Sequence, residues 1–179
     1  MRDAFSYLER WLLIIMLVIL GIGSRLTPHP PAATAMTAVI LASAYYLGPS
    51  ASVLVSLTVL LFSDMILGTY ELPVMISVYG SFLVITALGM LLAGKRSKIG
   101  RITLVASGSI VFFLITNAAV WFFTPWYTKD FSGLLTSYTL ALPFLRNMLL
   151  GDFIYTAALF GALSVLFTTV LAKRKTYAH

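Results

Sequence analysis

The chain has 179 residues, of which 60% are hydrophobic and only 10% are charged. Soluble domains carry roughly 25% charged residues and about 45–50% apolar ones, so this composition predicts an integral membrane protein. Cysteine is absent, which excludes disulfides, thiolate nucleophiles and cysteine-ligated metals. Six spans of about 20 residues would occupy the whole length. We therefore expect a single all-α transmembrane domain over residues 1–179, with no soluble catalytic domain.

Six apolar stretches, separated by prolines and glycines, predict six transmembrane helices. The second stretch is short, so we expect it to begin within a proline-rich segment or to cross the membrane obliquely. The first apolar stretch follows two arginines, as the apolar core of a signal peptide does. However, no cleavage site of small residues comes after it. We interpret it as a retained helix, with removal as the alternative. The predicted spans cover residues 8–25, 34–48, 51–68, 72–94, 102–123 and 148–172.

The basic residues are divided unequally between the two ends of these helices. With six spans, three of the 12 lysines and arginines fall on one side, namely Arg25, Lys129 and Arg146, and the other nine fall on the opposite side. Since basic residues favour the cytoplasmic side, both termini and the basic loop 94–101 are predicted to be cytoplasmic. The net charge of +6 therefore reflects topology. We expect contact with a lipid bilayer and not with a nucleic acid.

Polar side chains gather near the helix ends that are predicted to face outward. A charged group at mid-membrane costs about 2.5–3.5 kcal/mol and usually faces the interior of the helix bundle. These polar residues lie at a similar depth in four spans and at the borders of the spans, which favours a polar pocket that opens outward. The alternative is that an arginine pairs with an aspartate merely to hold helices together. The residues concerned are Arg25, Asp64, Asn117, Arg146 and Asp152.

Two connections are predicted to cover this pocket. Segment 27–33 is stiffened by its prolines and carries His29. Segment 124–147 is long and aromatic; we expect its part 131–142 to form a short helix at the membrane interface, and Pro143 to close the connection. Loops of this length are often lids or binding loops. The aromatic residues would stack on a planar ligand or, alternatively, form an interfacial belt; they include Trp121, Trp126 and Tyr127.

Familiar catalytic motifs are missing from the sequence. There is no HExxH, GxSxG or Walker A motif, so we expect no enzyme, no metal and no cofactor. A carboxylate pair of Asp64 and Asp152, as in an intramembrane aspartyl protease, is the least favoured alternative. A channel is a further alternative, although no repeated pore-lining stripe is visible.

Several short motifs together resemble an uncharacterised bacterial family of small membrane proteins. This family is similar to the S components of energy-coupling-factor (ECF) vitamin transporters. The motifs are Arg25-Leu-Thr-Pro-His-Pro-Pro, Ser63-Asp64 with Gly68, Thr116-Asn117 with Trp121, and Leu142-Pro143-Phe144 followed by Asn147 and Gly151-Asp152.

The resemblance implies an S-component-like bundle of six helices in the bacterial cytoplasmic membrane. Such subunits bind a vitamin-like molecule in an outer cavity, and a separate energising module, a transmembrane subunit plus two ATPases, drives uptake. S components that dock on the shared module typically carry an Ala-xxx-Ala pattern on the first helix, and residues 11–24 have none. Docking through another surface and action as a solitary transporter therefore both stay open.

The candidate substrate site combines the polar group with the external segments. Asp64 and Asp152 would receive donors or a cationic group, and Arg25 and Arg146 would counter them or hold an anionic group. Asn117 would orient the ligand through hydrogen bonds. The full set is Arg25, His29, Asp64, Asn117, Trp121, Trp126, Tyr127, Arg146, Asn147 and Asp152.

Overall fold

The computed structural model describes the backbone of residues 6–92 and 98–177, and the side chains of residues 6–91 and 102–168. This part of the chain forms six α-helices, which confirms the predicted all-α class, whereas six transmembrane helices were predicted. Five of the helices are long and apolar enough to cross a membrane, so the chain is a helical membrane protein. The helices are α1 (Tyr7–Leu26), α2 (Met36–Tyr46), α3 (Pro49–Leu67), α4 (Leu72–Leu92), α5 (Lys98–Phe123) and α6 (Phe131–Tyr177).

Local sequence signals set both ends of α1. The Ser6 hydroxyl accepts the Glu9 backbone N–H at 3.3 Å, and the Glu9 carboxylate accepts the Ser6 N–H at 2.8 Å. This reciprocal capping box satisfies two of the donors that every helix start leaves free. At the other end Pro28 disfavours the helical conformation at Thr27, whose backbone is extended, and α1 ends at Leu26.

The short helix α2 is the centre of the fold. It contacts each of the other five helices, and every residue from Met36 to Ala44 is buried. A helix that is apolar on all sides has no surface to present to water, so burial is the expected solution. The Ser52 hydroxyl of α3 donates to the Ile40 carbonyl of α2 at 3.0 Å, which fixes the two helices side by side.

The second predicted span, 34–48, needs correction. The helix covers only 11 residues, about 16 Å at 1.5 Å per residue, against a bilayer core of about 30 Å. Leu47 and Gly48 leave the helix at one end, and Gly48 takes a φ of 106° before Pro49 starts α3. Residues 27–35, immediately before the helix, are non-helical and mostly exposed.

The sixth predicted span, 148–172, is also wrong in its start, and 131–142 is not a separate interfacial helix. One continuous helix, α6, runs for 47 residues and includes Pro143 in its interior. Its first part packs against the end of α5: the Tyr138 hydroxyl donates to the Leu114 carbonyl at 2.9 Å, and Ser137 donates to the Asn117 carbonyl at 3.1 Å. This packing outweighs the helix-breaking tendency of proline.

The residues that carry the orientation prediction lie mostly outside the described side chains. Arg10 is the exception, and its guanidinium donates to the Leu47 carbonyl at 3.5 Å. The start of α1 and the end of α2 are therefore at the same end of the bundle. The basic loop 94–101 falls at the gap in the described chain. The undescribed side chains are those of Arg2, Lys95, Arg96, Lys98, Arg101, Lys173, Arg174 and Lys175.

Candidate functional site

The segment between α1 and α2, residues 27–35, is non-helical and is called the strap below. Its last residue, Ala35, donates its backbone N–H to Ser24 Oγ of α1 at 3.1 Å. The side-chain amide of Asn147 in α6 donates to the Pro31 carbonyl at 3.2 Å. The strap is thus held to α1 and to α6 immediately before the buried helix α2.

A glycine lets the strap approach α6 closely. A Cβ atom added at Gly151 would lie 3.1 Å from the Cα atom of Ala33, which is tighter than ordinary packing. The neighbouring residue Ala32 has a φ of 66°, a left-handed conformation that costs an L-residue about 1–2 kcal/mol. Strain of this kind persists where the surroundings impose it, and it is frequent at functional sites.

Beneath the strap lies a cavity of about 240 Å³. Its wall is built from all the helices except α3, together with the strap and the connection between α3 and α4. The apolar part of the wall consists of Ala32, Met36, Val78, Phe82, Phe112 and Met148. The polar part consists of Arg25, Thr34, Thr37, Tyr70 and Asp152.

At one side of the cavity Arg25 forms an ion pair with Asp64. The guanidinium Nη2 lies 2.5 Å from Oδ1 of the carboxylate. The hydroxyl of Tyr79 in α4 donates to the other carboxylate oxygen at 3.0 Å. Asp64 is only 2% exposed, so both partners are needed to satisfy it. The positive charge that Arg25 brings to the wall is therefore already balanced.

On α6, Asp152 brings a second carboxylate to the cavity, and it is only 2% exposed. The hydroxyl of Ser109 in α5 donates to its Oδ2 atom at 2.5 Å, and Thr37 of α2 lines the same cavity. The Ser109 hydrogen bond joins the carboxylate of α6 to α5. No basic side chain pairs with Asp152 in the part of the chain whose side chains are described.

The connection between α3 and α4 adds Tyr70 to the wall. Burial raises the pKa of Tyr70 to about 12, the charge of Asp64 adds to the rise, and the charge of Arg25 opposes it. At neutral pH the phenol is therefore uncharged, and it can donate a hydrogen bond into the cavity. Acceptors, a donor and aromatic surface thus converge on one concave site, as in small-molecule binding sites.

The structure brings some of the predicted site residues together. Arg25 and Asp152 line the cavity, and Asp64 lies directly behind Arg25. Asn147 touches the strap, as described above. His29 is on the strap itself, half-buried, with its Nδ1 atom 2.9 Å from the Pro30 carbonyl oxygen.

Other predicted residues lie away from the cavity wall. Asn117 uses its side-chain amide within α5, where it donates to the Phe113 carbonyl at 2.8 Å. The side chain of Arg146 is exposed on α6. Segment 124–147 is not the long loop that was predicted, because only 124–130 are non-helical and the rest belongs to α6.

The aromatic residues near this turn have local roles. The indole N–H of Trp121 donates to the Thr128 carbonyl at 2.8 Å and closes the turn between α5 and α6. Trp126 is 66% exposed, and Tyr127 is half-buried. The amine of Lys129 donates to the carbonyls of Trp121 and Thr124, which satisfies two free acceptors at the end of α5.

Sequence reasoning missed the residues that complete the cavity. Thr37 and Ser109 look like any of the many hydroxyl residues in apolar helices, which commonly bond within their own helix. Phe82 and Phe112, whose ring centroids are 4.9 Å apart, look like ordinary core or lipid-facing residues. The signal that could have found Ser109 is its place on α5, the antiparallel neighbour of the helix that carries Asp152.

These features define a helical membrane protein with a small cavity whose wall combines apolar side chains with a few polar ones. Among the described residues, no three His, Asp or Glu side chains lie close enough together to hold a metal ion. The chain belongs to a protein family of unknown function (DUF6580), whose profile matches residues 5–175. No curated protein and no solved structure matches it. The resemblance to S components rests on size, six predicted spans and predicted topology, and it stays a prediction.

Proposed function

We propose that the protein is the substrate-binding membrane subunit of an uptake system and captures a vitamin-like small molecule in the cavity beneath the strap. The observation that carries this proposal is the convergence of Arg25, Tyr70 and Asp152, from three parts of the chain, on one cavity. Ionisable residues inside a membrane bundle are costly and are usually retained for function. An ion pair that only joined helices would need no cavity beside it.

The size and lining of the cavity support a small ligand. Its volume of about 240 Å³ is just below the range of roughly 300–1,000 Å³ that is typical of small-molecule sites. Apolar and aromatic side chains form about half of the wall residues and would bury the body of the ligand. The polar groups would fix its orientation.

The strap is the proposed cover of the site, in place of the predicted lid at 124–147. It is joined to α6 by the Asn147–Pro31 hydrogen bond and by close packing at Gly151. Both contacts can break without disrupting a helix, so opening of the strap would admit the ligand. In the proposed arrangement the strap faces outward, both termini are cytoplasmic, and the protein is in the bacterial cytoplasmic membrane.

One observation favours a transporter that works without the shared energising module. The exposed face of α1 carries large apolar side chains, among them Leu12, Ile15 and Ile19. Such a face suits lipid tails, whereas close helix docking in membranes favours small residues. Co-purification of ATPase subunits with protein from its host membrane would contradict this second candidate and support a module-driven subunit.

Ligand occupancy in purified protein tests the proposed function. Protein extracted gently from its host is expected to carry a small molecule, which native mass spectrometry would detect and identify. Val78→Trp fills the cavity from α4 and should abolish occupancy. Val84→Trp is the matched control, because Val84 is on the same helix but 41% exposed, and occupancy should persist. Equal occupancy in the two variants, or no bound molecule in any protein, would contradict the proposal.

A further inference from the structure

We infer that the cavity takes a compact organic cation whose positive charge lies against the carboxylate of Asp152. This inference rests on the proposed function and names the chemical class of the substrate. It follows from the balance of charges in the cavity wall, from the hydrogen bond of Asp152 and from the aromatic residues in the same wall.

The two charged residues in the wall are not equivalent. Arg25 is engaged by Asp64 at 2.5 Å, so this pair contributes no net charge. Asp152 has a hydroxyl partner in Ser109. The cavity wall therefore has one carboxyl group without a basic partner among the described side chains, and a ligand of charge +1 would pair with its ionised form.

The hydrogen bonds of Asp152 leave it able to bind a ligand. An ionised carboxylate offers about four acceptor positions. The hydroxyl of Ser109 in α5 occupies one of them and holds the group in place. The remaining positions can accept N–H donors of an ammonium or amidinium group. A buried charge without a partner is unfavourable, so a cation gains more here than at an exposed aspartate.

The rest of the wall fits the body of such a cation. Phe82 and Phe112 lie side by side, and Met36 and Met148 add polarisable apolar surface. Aromatic faces also attract cations directly. An anionic ligand would meet Asp152 at close range, and Arg25 could bind it only by giving up Asp64. Repulsion between the ionised Asp152 carboxylate and an anionic ligand would therefore disfavour binding of the anion.

A matched series of probes tests the charge preference in the wild-type protein. Benzylammonium, benzyl alcohol and benzoate share an aromatic body and differ in charge, and each is added to ligand-free protein in detergent at neutral pH. Thermal unfolding then gives the concentration for half-maximal stabilisation. We expect benzylammonium to require about tenfold less than either of the others. Equal or stronger binding of benzoate or benzyl alcohol would overturn the inference.

Asp152→Asn removes the charge and keeps the shape of the side chain. The variant should weaken benzylammonium about tenfold or more and leave benzyl alcohol unchanged. Asp130→Asn is the control, because it removes the same charge from an exposed turn and should change neither probe. Undiminished benzylammonium binding by folded Asp152→Asn would overturn the inference. The wild-type series decides the question if this variant does not fold.

Failure of the inference differs from failure of the proposed function. An anionic or neutral molecule found in protein from the host, displaced by Val78→Trp, would overturn the cation preference and leave the binding function standing. Absence of any bound molecule, together with no response to all three probes, would remove the proposed function and the inference with it.

Discussion

The Arg25 guanidinium at the end of α1 lies 2.5 Å from the carboxylate of Asp64, three residues before the end of α3. The Tyr79 hydroxyl of α4 donates to the same carboxylate. One aspartate thus joins three helices at the edge of the cavity. Because Arg25 is engaged by this pair, Asp152 in the same cavity wall has no basic partner among the described side chains.

Breaking this pair on one side should destabilise the protein. Arg25→Met leaves a carboxylate that is 2% exposed without its cation, and removal of one partner of a buried pair costs about 3–5 kcal/mol. The double variant Arg25→Met/Asp64→Leu should recover most of this loss, since no charge is left buried. Reversible unfolding in mixed micelles gives both values. A double variant no more stable than the single one would contradict the assignment.

Two glycines of α1 should respond in opposite ways to alanine. A Cβ atom at Gly21 would lie 2.7 Å from Val59 Cγ2 of α3, whereas one at Gly23 would have no neighbour within 4 Å. Gly21→Ala should therefore lower the free energy of unfolding by about 1–3 kcal/mol. Gly23→Ala should raise it by up to about 1 kcal/mol, because alanine favours the helix. The same unfolding assay tests both.

Adding Val59→Ala separates a steric clash from other causes. In the Gly21→Ala background this second change makes room for the new methyl group and should restore part of the lost stability. If the two changes merely add, α1 and α3 do not meet at this point.

The approach of the strap to α6 can be tested in the same manner. Gly151→Ala places a Cβ atom 3.1 Å from the backbone of Ala33, so the strap must shift. We expect a loss of about 1–3 kcal/mol in stability and a lower ligand occupancy. Gly161 is on the same helix, and a Cβ atom added there would have no neighbour within 4 Å. Gly161→Ala should therefore lower neither the stability nor the ligand occupancy. Native mass spectrometry measures occupancy, and equal occupancy in the two variants would argue against a covering role for the strap.

The start of α6 should contribute stability that depends on pH. The Gly133 N–H and the Thr128 hydroxyl donate to the Asp130 carboxylate at 2.7 and 2.9 Å and lower its pKa below the ordinary 3.8. A carboxyl group with a lowered pKa in the folded state stabilises the fold above its unfolded pKa, and this contribution is lost as pH falls through the folded value.

Comparison of wild type with Asp130→Ala measures this contribution. The difference in unfolding midpoint should be constant above about pH 5 and should shrink as pH falls below 4. Asp130→Asn keeps a good helix cap without the charge, so it should be nearly independent of pH in the same range. A difference that grows on acidification would contradict the assigned hydrogen bonds.

Helix number and class could be predicted because they depend on composition and on short-range signals. The apolar stretches separated by proline and glycine match the six helices, and the boundaries at Leu26, Pro49 and Leu67 are within two residues of those predicted. Pro143 is the exception. Its local preference is to end a helix, but the contacts of Tyr138 and Ser137 with α5 keep α6 continuous.

The candidate site could be predicted only in outline. The similar depth of the polar residues predicted that Arg25, Asp64 and Asp152 lie in one region of the bundle, and they do. Depth alone could not predict which arginine pairs with which aspartate. The prediction also included Arg146, whose side chain faces outward on α6. Helix rotation decides such questions, and in a helix that is apolar on most sides the sequence period gives little information about rotation.

By itself the sequence determined that this chain is a helical membrane protein with polar residues clustered near one set of helix ends, because a bilayer penalises every charge and every unpaired backbone group. Only the tertiary structure decided that α2 is a short buried core helix, that Arg25 is neutralised by Asp64, and that Asp152 lines the cavity with no basic partner among the described side chains. These outcomes depend on distances between helices far apart in the chain. No local pattern of residues encodes such distances, since they arise from the packing of all six helices together.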